Sequence, residues 1–248
     1  YATRAGREEL LGRSPTGLFG DAERRTHHAL MDRWQLALEN SAFWNLRGLE
    51  VHHFGQADAQ PLPGVLHRPL RLAIPLGIDT TREVDVTGRT PAIQLKDRTV
   101  VVLSTTQPRQ PSERDEVDFF EGFIAWIIML AAGVAEVGAW RVLVVRERSH
   151  GNQVDMRDFG PVTPDAARNW LIDLLAEMLA GVHDYRMPAE AVFLNVFKRM
   201  PFDRALEKVS YRRGNPGPVR DEDRFDPPRH LEDLIDRRFG LYLSSVVR

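Results

Sequence analysis

Glu83 to Gln107 reads EVDVTGRTPAIQLKDRTVVVLSTTQ, and this stretch decides the fold class. Val84 and Val86 alternate with charged residues, as in a half-buried strand. Thr87-Gly88-Arg89 follows, then Thr90-Pro91, where a proline can sit only at a strand edge or a bulge. Lys96-Asp97-Arg98 separates two strand-like runs and reads as a hairpin turn. Val100 to Leu103 is continuously apolar, the pattern of a strand covered on both faces.

Outward from this stretch, the period changes. Leu49-Val51-His53 and Leu70-Leu72-Ile74 alternate as further strands on the N-terminal side. Before them, Leu30, Trp34, Leu38 and Ala42 recur at helical spacing beside Ala37, with Asp21 as the expected N-cap. On the C-terminal side a polar loop from Gln107 to Asp115 leads into a helix over about Glu113 to Val134. Its Phe119, Phe120, Phe123, Ile124, Ile127 and Ile128 cover more than half the circumference, so it is expected to pack across the sheet. Leu143-Val144-Val145 forms another buried strand. Thr163-Pro164 opens a second helix, the threonine as N-cap and the proline in the first turn. Residues 210–229 are loop-like by Gly, Pro and charge, and a helix over about Pro228 to Leu243 closes the chain. The order predicts an α/β (α+β) fold, a mixed central sheet flanked by helices, with an N-terminal helical segment over residues 1–45 and the sheet domain over 46–248.

The 248 residues are 43% hydrophobic and 27% charged, a balance that buries a core and argues against disorder. With no cysteine, disulfides, thiolate zinc sites and cysteine nucleophiles are excluded. No charged-then-apolar leader follows Tyr1, so no signal peptide is expected, and a fragment of a larger cytoplasmic protein is. The longest greasy run, Phe123 to Ala135, is short of the ~20 residues a membrane span needs. A net charge of −2 is not that of a dedicated DNA-coating domain. Walker, G-x-S-x-G and H-E-x-x-H motifs do not occur. Neighbouring histidines in His27-His28 and His52-His53 point apart on a helix or a strand, so neither pair chelates a metal by itself.

The stretch from Glu83 to Gln107 resembles the core of the PD-(D/E)XK nucleases related to RecB. There a strand with G-R-x-D is followed by an apolar strand ending in D-x-K, the acids binding Mg²⁺ and the lysine orienting water. Laid on that frame, the metal acids fall at Pro91 and Leu103 and the lysine at Thr105. Proline and leucine cannot supply the carboxylates that offset the dehydration of Mg²⁺. The resemblance therefore implies a degenerate nuclease fold without catalytic residues, metal or cofactor. A rival register takes Asp79 or Asp85 as the metal acid with Lys96 as catalytic lysine. Lys96, however, precedes a turn signal, and the next helix lacks the Q-x-x-x-Y of RecB-like nucleases.

Several segments in order are similar to the C-terminal domain of RecC, the gamma subunit of exodeoxyribonuclease V. Ser14 to Asp21 resembles its L-P-P-G-x-x-G turn, and Val84 to Thr90 its T-G strand. Asp118 to Gly133 with Trp140 to Leu143 resembles a helix-and-strand pair, Ala166 to Gly181 a later helix, and Asp226 to Val247 the closing one. The stretch from Asp184 to Ala189 departs from the family's P-L-P-F-x-P-K-S-like segment, and the region after Phe202 is short and arginine-rich. The resemblance implies a non-catalytic DNA-binding and scaffolding domain in double-strand-break processing and recombinational repair. Its implied partners are RecB-like and RecD-like helicase subunits with double-stranded and forked DNA. Two basic segments offer phosphate contacts, the first through Arg146 and Arg148 and the second through Tyr211, Arg212 and Arg213. A protein-interaction module without DNA contact is the remaining alternative.

Overall fold

The computed structural model describes residues 17–40, 48–55, 64–77, 79–104, 111–148, 151–179, 187–212 and 230–247. The elements in chain order are α1 (Gly17–Glu39), β1 (Glu50–Phe54), β2 (Val65–His67), β3 (Leu70–Pro75), β4 (Thr81–Val86), β5 (Gly88–Gln94) and β6 (Thr99–Ser104). They continue as α2 (Pro111–Ala131), β7 (Trp140–Arg148), β8 (Gly151–Phe159), α3 (Pro164–Leu179), α4 (Ala189–Lys198), α5 (Phe202–Arg212) and α6 (Leu231–Ser245). Six strands form one mixed sheet in the order β2-β1-β5-β6-β7-β8, and β3 and β4 form a separate antiparallel hairpin. Among the described residues, no helix is long and apolar enough to cross a membrane.

The continuous apolar run of β6 is explained by helices on both faces of the sheet. Val100 and Val102 join Val142 and Val144 of β7 beneath α2, in the large core with Phe123, Trp126, Ile127 and Leu130. Val101 points the other way and joins Leu143, Val145, Trp34 and Leu38 under α1. β6 and β7 run parallel, and α2 supplies the crossover connection that parallel neighbours need. Gly122 lets α2 come close to the sheet, since a Cβ there would lie 2.5 Å from Val142 Cγ1. Aromatic rings fill the far side of α2, with Phe120 and Phe123 each packed on Trp170 and Tyr242.

Local signals hold where they are strong. Arg98 takes a left-handed φ of 50° and donates its N–H to Leu95 O at 3.1 Å, closing the turn between β5 and β6. Thr163 Oγ1 caps α3 by accepting the N–H of Ala166 at 3.2 Å. Leu70, Leu72 and Ile74 alternate buried with exposed neighbours along β3. Two expectations are corrected, and two elements carried no expectation. α1 begins at Gly17, so Asp21 lies inside the helix and is not its N-cap. The segment after Arg148 returns as β8, a strand whose charged residues hid it. α4 was not anticipated. α5 extends to Arg212, so Tyr211 and Arg212 end a helix instead of opening a loop. Ala42 lies outside the described residues.

Candidate functional site

Where β1 advances from Val51 to His53, β5 advances from Ala92 to Arg89, so β5 carries an extra residue at Thr90-Pro91. The ladder between β5 and β6 likewise ends at Ala92 and Val101. Proline fits this irregularity because the bulge does not require an N–H from it. Thr90 completes the hydrogen bonding with its side chain. Its Oγ1 accepts the backbone N–H of His52 at 3.1 Å and donates to Pro91 O at 2.7 Å.

The bulge opens a cavity of about 170 Å³ between β5 and α2. Phe54, Val86, Pro91, Ile124, Ala125 and Ile128 make its walls apolar, and Arg89, Thr90 and Glu121 supply the polar groups. Glu121 is exposed as a whole, yet its carboxyl is raised above the ordinary range. Burial against these walls is the main cause, and the carboxylate of Asp118 one turn earlier adds to it. The site can take a small, mostly apolar group and offer it one carboxyl.

The positions that the nuclease resemblance aligned with the metal acids and lysine do not converge here. Pro91 lines the cavity on the α2 side. Leu103 shares the alternation of Val101, which faces α1, and is 39% exposed. The two therefore lie on opposite faces of the sheet, and Thr105 lies outside the described residues. The one-residue offset follows from the bulge, which shifts the face parity on which the alignment of Pro91 with Leu103 depended.

The residues of the rival register are also held apart from the cavity walls. Asp85 is on the β3–β4 hairpin, where Arg71 grips both carboxylate oxygens at 2.8 and 3.1 Å. That hydrogen bonding holds Asp85 below the usual carboxylate range. Lys96 sits exposed in the turn after β5, and Asp79 in the exposed loop between β3 and β4. Among the described residues, no group of three or more His, Asp or Glu side chains is arranged to hold a metal ion.

Arg146 is corrected as a DNA contact. It is only 1% exposed, with its guanidinium 3.3 Å from Asp118 and 3.4 Å from Asp155, and it lies over the ring of Phe119. The reason is strand alternation: following Val142 and Val144, Arg146 points at α2 and away from solvent. The same burial claims Arg157, whose guanidinium holds Glu116 and lies 4.6 Å from the Phe119 ring centre. Burial is the largest single influence and opposes the charge of Arg157, but the hydrogen bond it donates to Glu116, together with the charges of Tyr242 and Glu116 and the hydrogen bond to Tyr242, leaves its pKa raised. Tyr242, fully buried, donates its hydroxyl to the same carboxylate at 3.1 Å. Its pKa is raised strongly, first by burial and then by the charge of Glu116. The side chains of Arg148, Tyr211 and Arg212, and all of Arg213, lie outside the described residues. The aromatic run on α2 is core, with Phe119, Phe123 and Trp126 buried.

One pairing had no signal in the sequence. His52 and His53 do point apart, but His52 meets His67 of β2 through a 2.9 Å contact between ring nitrogens. A lone histidine in a three-residue edge strand carries no periodicity that would reveal it.

No protein-family model matches the chain, and no curated protein matches it in sequence.

Proposed function

We propose that the chain is a non-catalytic, nuclease-like scaffolding domain of a RecC-type gamma subunit of exodeoxyribonuclease V. In this reading it acts in the cytoplasm with RecB-like and RecD-like helicase subunits on double-stranded and forked DNA at double-strand breaks. The observation that carries the reading is the β5–β6 hairpin followed by α2 and a β7 parallel to β6, with a proline bulge at one former acid position. That is the order of strands and helix on which the PD-(D/E)XK motifs are spaced, and a bulge built around proline supports binding in place of metal chemistry. Direct DNA contact then rests on the segment around Tyr211, Arg212 and Arg213. The test is binding of forked DNA at several salt concentrations, with RecB- and RecD-like subunits present. Replacing Arg212 and Arg213 with Ala is expected to flatten the salt dependence by about one to two units of slope. Unchanged affinity and slope would remove this segment as the contact.

A protein-interaction module without DNA contact is the second reading, and one observation favours it. Arg141, Arg146 and Arg157, three cations of the basic stretch from Arg141 to Arg157, are all engaged within the fold, by Asp158, by Asp118 and Asp155, and by Glu116. Salt-independent association with the helicase subunits, and no binding to DNA, would select it.

A further inference from the structure

The histidine pair between β1 and β2 has a geometry that the proposed function does not use. The ring centroids of His52 and His67 are 5.1 Å apart with 17° between their planes, and the nitrogens are 2.9 Å apart. That centroid separation is the nitrogen–nitrogen distance plus one ring radius at each end, the largest value the contact permits. The rings therefore meet edge to edge, nitrogen to nitrogen. Such a contact requires one proton, donated by one ring and accepted by the other.

The donor follows from what is buried. If His67 donated, His52 would keep its own proton on Nε2, which is buried with no hydrogen-bond partner. A buried unsatisfied donor is the costlier arrangement. His52 Nδ1–H thus donates to the bare Nε2 of His67, and the bare Nε2 of His52 is only an unused acceptor. A first added proton, on His52 Nε2, leaves the N–H···N bond in place but puts charge in a site 1% exposed, on a nitrogen with no partner. A second, on His67 Nε2, sets N–H against N–H and breaks the pairing.

The surroundings give that charge little relief. From β1, Glu50 favours a charged His52 and His53 opposes it; from β2, His67 opposes it. From β5, the Thr90 hydroxyl is committed to the backbone of His52, and Arg89 stands opposite His53 as another positive charge. Burial, the largest influence, and the imidazole of His67 leave His52 below the ordinary histidine range, and burial does the same for His67.

The pair holds a weak element. β2 is a short edge strand whose sheet partner is β1, in parallel register. Phe54 packs on the His67 ring at 5.0 Å and also forms a wall of the cavity. We propose that the His52–His67 pair is an acid-released latch: uncharged near neutrality it pins β2 to the sheet, and in mild acid it lets β2 go and loosens the Phe54 wall.

Hydrogen–deuterium exchange of the full chain between about pH 8 and about pH 5, corrected for intrinsic rates, tests the latch. Protection at residues 52–54 and 65–67 is expected to fall about tenfold more than protection in β6 and β7. In His67→Gln, whose amide hydrogen-bonds but does not titrate, that excess is expected to vanish. An excess that persists in the variant, or β1 and β2 tracking the rest of the sheet at every pH, would overturn the proposal. Should the variant lose protection at all pH, ¹⁵N spectra of the unaltered rings decide. The proton on His52 Nδ1 with both rings titrating below the ordinary range sustains the latch, and an ordinary histidine titration in either ring overturns it.

Discussion

Arg157 on β8 and Glu116 on α2, separated by 41 positions in the chain, form a two-pronged ion pair beneath the ring of Phe119, and Tyr242 of α6 completes it with its hydroxyl. Helix, strand and final helix are thereby joined at one carboxylate. The charges are largely removed from water, so the geometry of the pair, and not the pair's mere presence, decides its worth.

Arg157→Met should therefore destabilise the chain by about 3 kcal/mol, because it leaves a mostly buried carboxylate without its cation. The double change Glu116→Leu with Arg157→Met should recover about 1 kcal/mol or more of that loss. Urea unfolding of both single variants and the double variant checks the coupling. Strict additivity would mean that the two residues do not act together.

Arg146→Met should act on folding and not on DNA. Removing a buried cation that faces Asp118 and Asp155 should cost about 3 kcal/mol or more. Under conditions where the variant remains folded, its salt slope for forked DNA should equal that of the unaltered chain. A slope reduced by about one unit would restore Arg146 as a phosphate contact.

The chain should not degrade duplex or single-stranded DNA with Mg²⁺ or Mn²⁺. Carboxylates are lacking at Pro91 and Leu103, and Asp85 is engaged by Arg71. Metal-dependent cleavage that disappears in Asp85→Asn or Lys96→Ala would establish the rival register.

Glu121→Gln should stabilise the chain in a pH-dependent way. The folded state raises the pKa of Glu121, so it binds this proton more readily than the unfolded chain does. The stabilising contribution is complete below the unfolded value of about 4.3 and is lost as pH rises through the folded value. Glutamine removes the titration, so thermal melts should show a gain that grows above that lower limit and then levels off. An equal difference at every pH would indicate packing alone.

Much of the scaffold was legible because its determinants are local. The aromatic and aliphatic stripe of α2, the alternation of β3, the turn at Lys96 to Arg98 and the Thr163 cap each depend on residues a few positions apart. Periodicity and capping act over that range. β8 carries little apolar alternation to announce it, because its Asp155 and Arg157 are charged, and the partners that bury them, Arg146 and Glu116, come beside them only in the fold.

The candidate site was legible only at its proline. Pro91 announced an irregularity in β5, and the bulge is there. The face on which Leu103 falls, the placement of Glu121 at the cavity and the meeting of His52 with His67 were not readable, since each depends on strand register across the sheet. By itself the sequence determined the mixed α/β class, the helix over the sheet and the lack of cysteine chemistry. Tertiary structure alone decided which charges are buried, because a charge's environment is set by whatever packs against it, however distant in the chain.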